Sequence, residues 1–241
     1  MAKSDQNPLT SLFSGTVGSL VFYTVRNQQR IRTKPQRVRN PRSPKQNAHR
    51  SRLAVATSLA AVFKDAYLLG YALVDPDVAP RHLFVKHVYH DALSDSALLL
   101  PNRLLLSHGT LRPFNPSDVA ADLSLVSIRW AVSGAASDHL CLCLYNHTRA
   151  RSCFFPDQAS RTEGHTHITV PSDWRSDHLY LYAFWHNPAT HKVSDSVVVA
   201  ELNAPDSQEA AHNDLKQHLD HLTATWRPRL RKSFLQSISK L

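Results

Sequence analysis

Apolar and polar positions follow different rhythms along the chain and divide it into five stretches. Over 16–25 the run TVGSLVFYTV is rich in β-branched and aromatic residues, and a second short run follows at 30–34. With Asn27 able to take a left-handed turn conformation between them, the two runs predict a β-hairpin inside a basic, extended arm over 1–42. Gly15 and Gly18, two of only six glycines, mark a backbone need for a bulge or tight turn there. Pro35, Pro41 and Pro44 then stand among arginines, a composition that keeps the backbone extended. Ser43 before Pro44 is a helix start, because serine caps free amides and proline is tolerated at the first helical position. Val55, Leu59, Val62, Phe63, Ala66 and Leu69 recur at spacings of three and four, so a helix with one apolar stripe is predicted over 43–72.

Asp75-Pro76-Asp77 and Ala79-Pro80 end that periodicity, and 73–120 reads as an irregular connecting region. From 121 the texture becomes that of strands, at 123–132, 139–145, 152–155, 165–170, 178–185 and 193–202. Ser133-Gly134, Asn146, Pro156-Asp157 and Asn187-Pro188 supply the turns between them. In 178–185, Leu179, Leu181, Ala183 and Trp185 alternate with His178, Tyr180, Tyr182 and Phe184; both sets are partly apolar, as in a central strand. The whole predicts a mainly β chain: an immunoglobulin- or fibronectin-like antiparallel β-sandwich over 121–203, with an N-terminal β-hairpin, a connecting helix and a C-terminal helical tail over 204–241. That tail carries a polar helix over 206–222 and a second helical pattern interrupted at Pro228.

Composition narrows the class. With 42% apolar and 20% charged residues in 241, the chain has the makings of an ordinary packed domain. No run approaches the roughly 18 apolar residues that cross a bilayer, and the opening MAKSDQNPLT lacks a secretory core, so no membrane partner is expected and the cytoplasm is. Cys141, Cys143 and Cys153 are odd in number, and the first two alternate within an apolar run, which fits free thiols in a reducing compartment.

Charge is distributed unevenly. The net is +9, but 1–53 holds eleven Lys or Arg against Asp5 alone, and 226–241 holds five more and no acid. The stretch between carries twelve basic against eighteen acidic residues. Such asymmetry is a footprint for a polyanion or for an acidic protein surface. Arg26, Arg30, Arg32, Lys34, Arg37, Arg39, Arg42, Lys45, Arg50 and Arg52 are the candidate contacts, and arginine's planar fork suits phosphate.

The chemistry of an active site is not legible. Fifteen histidines invite metal binding, yet His87 with His90, His165 with His167, and Cys141 with Cys143 near His139 and His147 never complete a four-ligand pattern. The expectation is no metal and no cofactor. No nucleophile elbow, Walker loop or dinucleotide fingerprint occurs, and Asp75 with Asp77 and Asp173 with Asp177 sit in turn-like contexts, so no catalytic residue and no enzyme are expected.

The N-terminal order Gly15, Gly18, Val21, Phe22, Tyr23, Arg26, Asn27, Arg32, Pro35, Asn40, Pro41, Pro44, Gln46 and Arg50 resembles a family of uncharacterised Bacteroidota proteins. That family has a G-x-x-G, V-F-Y, R-N run followed by N-P-x-[ST]-P-x-Q. A weaker similarity links the same stretch to phage-encoded proteins of unknown function. The resemblance implies a sandwich after the helix and no established activity. Together these observations lead to a non-catalytic binding protein whose basic arm docks an anionic partner, nucleic acid first. The alternative is a structural or assembly protein, phage-like or self-assembling, whose arm and hairpin contact another copy.

Overall fold

A computed structural model of the chain describes residues 2–4 (by backbone), 14–25, 28–35, 43–122 and 124–238, in two compact units, Met1–Ser43 and Pro44–Leu241. The described residues are mainly β, with three antiparallel sheets and five α-helices.

In the first unit, β1 (Ala2–Ser4), β2 (Gly15–Val17), β3 (Leu20–Val25) and β4 (Gln28–Thr33) form one sheet in the order β1-β4-β3-β2. The run read as one strand over 16–25 is broken at Gly18-Ser19, where Val17 pairs with Leu20 across a two-residue turn. Gly18 has φ 57°, a left-handed conformation that a Cβ would penalise. β3 and β4 make the expected hairpin, with Val25 opposite Gln28 and Phe22 opposite Ile31. Its turn, with Arg26 and Asn27, and the proline-bearing stretch with Arg37, Arg39 and Arg42, lie outside the described residues.

In the second unit, β5 (Pro116–Ala121), β6 (Leu125–Trp130) and β9 (His165–Thr169) form one sheet in the order β5-β6-β9. β7 (His139–Asn146), β8 (Arg151–Ser160), β10 (Leu179–His186) and β11 (Val197–Leu202) form the other, ordered β11-β10-β7-β8. Alternation along the central strands decides the layering. Leu140, Leu142 and Leu144 of β7 and Leu179, Leu181, Ala183 and Trp185 of β10 share a core with Val126, Ile128, Trp130 and Ile168 of the facing sheet. Phe114, Trp130 and Trp185 meet edge to face there, with centroids 5.4 to 5.7 Å apart. The opposite set, Cys143, Tyr145, Tyr180 and Tyr182, packs on helices. A helical layer therefore covers the outer face of the larger sheet, which is why all eight residues of β10 are buried.

That layer begins with α1 (Pro44–Val62) and α2 (Lys64–Gly70), two helices where one was expected, bent by 87° at Phe63. The cause is the docking of Phe63, whose ring lies 4.7 Å from Tyr145 and 6.2 Å from both Phe84 and Tyr182. The apolar stripe continues across the bend, with Val55, Leu59 and Ala66 buried. The stretch expected to be irregular, 73–120, contributes α3 (Pro80–His87), a π-helical turn (Val88–Ala92) and β5, and Phe84 of α3 is completely buried. Pro156-Asp157, read as a turn, instead lies within β8, an edge strand. The register shifts between Leu140 and Leu142, and Asp157 has φ 48°, so the breaker is absorbed as a β-bulge. α4 (Gln208–Leu222), capped by Ser207, and α5 (Pro228–Ile238) close the helical layer. Trp226 between them donates to Ser58 Oγ of α1 at 2.7 Å.

Candidate functional site

The predicted basic contacts fall into two groups. Register places Arg30 opposite Tyr23 and Arg32 opposite Val21, and the Arg32 guanidinium lies 5.8 Å from the Tyr23 ring centroid. Strand alternation puts Val17, Leu20, Phe22 and Ile31 on the other face of the sheet. One side thus carries Arg30, Arg32 and Tyr23 together with Val21 and Val25, and the other carries Val17, Leu20, Phe22 and Ile31 without a cation. None of residues 14–25 and 28–35 is buried, and Val17 is 58% exposed. Lys34 is exposed just past β4, and Lys45 is exposed at the start of α1.

Arg52 has a different role. Its guanidinium donates to the carbonyls of Tyr89 and Leu93 at 2.7 and 3.0 Å, and it stacks over the Tyr89 ring, tying α1 to the π-helical turn. Arg50, also on α1, is half-buried. In the tail, Arg231 is held by Asp220 and Thr223. Among the predicted basic residues that the structure describes, Arg30 and Arg32 share a face of the N-terminal sheet and Arg52 is spent on the fold of the second unit; Arg26, Arg37, Arg39 and Arg42 lie outside the described residues.

A second constellation gathers where no motif pointed. His147 and Thr148 sit in the turn after β7, His178 precedes β10, and Asp214 and His218 lie one turn apart on α4. Nδ1 of His147 and Nδ1 of His178 both reach Asp214 Oδ2, at 2.9 and 2.8 Å, and Thr148 donates to Oδ1. His178 Nε2 lies 2.8 Å from Glu201 Oε1, which also accepts from the Tyr180 hydroxyl at 2.9 Å. The rings of His147 and His218 stack 4.2 Å apart, and His218 Nδ1 donates to the His147 carbonyl at 2.8 Å. Burial works to raise the Asp214 carboxyl, but hydrogen bonds from His147, Thr148 and His178 outweigh it and hold the group well below the usual carboxylate range. Burial, reinforced by the charge of His147, holds His218 down at about 3. A cavity of about 410 Å³ opens beside the cluster, lined by Thr148, His178 and Asp214 among others.

Sequence reasoning missed this cluster because its members are dispersed. The one available signal lay in the sheet: Asn146 pairs with Leu179, so the next residues outward, His147 and His178, are neighbours once β7 and β10 are paired. Of the pairs weighed from the sequence, His165 and His167 lie on β9, and His87 bonds Asp91 and the Arg103 carbonyl. Cys141 instead meets Asp157 and His186. Burial pushes the Cys141 thiol up to about 12, and Cys143 is raised by the same cause, so neither is poised as a nucleophile.

Among the described residues no single helix is long and apolar enough to cross a membrane. A model of a protein family, the Family of unknown function (DUF6266), matches residues 12–200, a span covering β2 to β4 and nearly all of the two sheets of the second unit. No curated protein and no solved structure matches the chain.

Proposed function

The chain belongs to DUF6266, a family of unknown function, and from its geometry we propose that it is a non-catalytic assembly protein whose N-terminal sheet docks on another copy. One observation carries this reading: a small four-stranded sheet in which no residue of β2, β3 or β4 is buried and Val17, Leu20, Phe22 and Ile31 share one face. A sheet this small needs a hydrophobic face covered by a further layer to be stable. The occupant is argued from charge. The first 43 residues hold eight Lys or Arg against Asp5, whereas 54–225 holds twelve basic against eighteen acidic residues. Within that acidic stretch, Leu68, Leu73 and Val74 are exposed, which offers apolar surface to the apolar face of the sheet, while the net charge of the stretch as a whole complements the basic unit.

Several further features support the reading. The strand orders β5-β6-β9 and β11-β10-β7-β8, facing across one core, favour an immunoglobulin- or fibronectin-like body that serves as scaffold. At the histidine cluster the hydroxyls of Thr148 and Tyr180 donate to carboxylates rather than to a histidine base, which argues against nucleophilic catalysis. Free Cys141, Cys143 and Cys153 suit a reducing compartment, so the cytoplasm belongs to the proposal.

Light scattering of the full chain tests it. The wild type is expected to run as an oligomer that Phe22→Asp or Ile31→Asp converts to monomer; a wild type that is monomeric at all concentrations overturns the reading. The Arg30, Arg32 and Tyr23 face favours a second reading, docking of a nucleic acid by phosphate contacts and stacking. Titration of labelled single-stranded DNA at two salt concentrations distinguishes it, since binding must weaken with salt and with Arg32→Gln.

A further inference from the structure

We propose that His147, His178 and Asp214 form a binding site for one divalent metal ion of the zinc class, linking the turn after β7, the entry to β10 and helix α4. Each residue offers one donor atom, and the three atoms lie within 4.8 Å of one another. Four-coordinate zinc with bonds of about 2.0 Å sets its ligand atoms about 3.3 Å apart, so the 2.8 and 2.9 Å separations at Asp214 Oδ2 need to open by only a few tenths of an ångström. Two imidazoles and one carboxylate are the donor set of zinc and its transition-metal neighbours, whereas magnesium and calcium take oxygen.

The surroundings have the form a metal centre requires. A ligating histidine is oriented by an acceptor on its other ring nitrogen, and His178 Nε2 meets Glu201 Oε1 at 2.8 Å, a carboxylate itself fixed by Tyr180. His147 is held flat against His218, whose ring is inclined to it by 8°. His218 is 1% exposed and is itself fixed by the His147 carbonyl, 2.8 Å from its Nδ1, so the His147 ring is held in place. Three protein ligands leave a coordination position open, and the adjoining cavity of about 410 Å³ gives an ion and a water a way in.

The competing account is a purely hydrogen-bonded clamp. Untagged full-length protein, stripped with a chelator and dialysed against zinc, decides between them. One equivalent of zinc is expected to be retained, and cobalt in its place is expected to show the visible bands of a low-coordinate ion. Asp214→Asn should abolish retention. Because Asp214 also anchors α4, it is read beside Glu201→Gln, an exposed position, which should weaken zinc about tenfold to a hundredfold while leaving the circular dichroism spectrum unchanged. A wild type that retains no zinc, or retention indifferent to both substitutions, overturns the site.

Discussion

β3 and β10 are both runs of apolar and aromatic residues, LVFYTV and LYLYAFWH, and their circumstances are opposite. Every residue of β10 is buried, between a facing sheet on one side and helices on the other. No residue of β3 is buried, although Phe22 and Tyr23 would suit a core as well as Phe184 and Tyr182 do. Burial is a property of the layers around a strand: β10 has two, whereas the residues of β3 are half-buried or exposed. On the proposed reading, the N-terminal sheet is the surface that meets another copy.

If that contrast is sound, equal truncations should have unequal effects. Phe63→Ala, which removes a ring packed against Tyr145, Phe84 and Tyr182, should lower the unfolding free energy of the body by about 3 to 5 kcal/mol in urea denaturation. Phe22→Ala should change the same transition by less than about 0.5 kcal/mol while weakening self-association. Asp138→Ala should cost a comparable 3 to 5 kcal/mol, roughly, because it strands the buried Arg161 guanidinium that it holds at 2.8 Å and that lies over Trp185. A cost near zero would mean that the body's polar core is as loosely determined as the sheet.

Acidity gives a smaller effect. His218 is held at about 3 against an ordinary value of 6.5, so between those pH values the unfolded chain binds a proton that the fold excludes. Its contribution is therefore complete above about pH 6.5 and is lost as pH falls towards 3, at up to about 1.4 kcal/mol per unit. The stability of the wild type should fall more steeply between pH 6.5 and 5 than that of His218→Asn, measured by the urea midpoint at each pH. A modest loss is expected at a helix cap: Ser207→Ala removes the side chain that accepts from the Ala210 amide at 3.1 Å and should cost about 1 kcal/mol, read as a lowered thermal midpoint.

Much of the body was legible from its rhythm. The alternation at 178–185 identified a strand buried on both faces, and Ser43 stands immediately before α1, whose first residue is Pro44. Tertiary packing decided the rest. The apolar stripe through Phe63 is continuous in sequence, and only the aromatic pocket that receives Phe63 bends the helix there. Pro156-Asp157 carries a strong turn signal, but an edge strand can hold it as a bulge. The basic residues were visible while their use was not: Arg52 has the same composition signature as Arg32 but caps carbonyls inside the fold. The Asp214 cluster was invisible because His147, His178 and Asp214 share no spacing, and they meet only through strand pairing and the docking of α4.

The central claim, that the N-terminal sheet of one copy docks on the acidic stretch of another, is tested most directly by isotope-mixed zero-length cross-linking. Equal amounts of light and nitrogen-15 protein are joined with a carbodiimide, which couples lysine amines to carboxylates, and digested for mass spectrometry. The account expects Lys34 to be linked to an acidic residue of 54–225 in peptides of mixed isotope. Links from Lys34 found solely within one isotope, at a concentration where the wild type should be assembled, would contradict it.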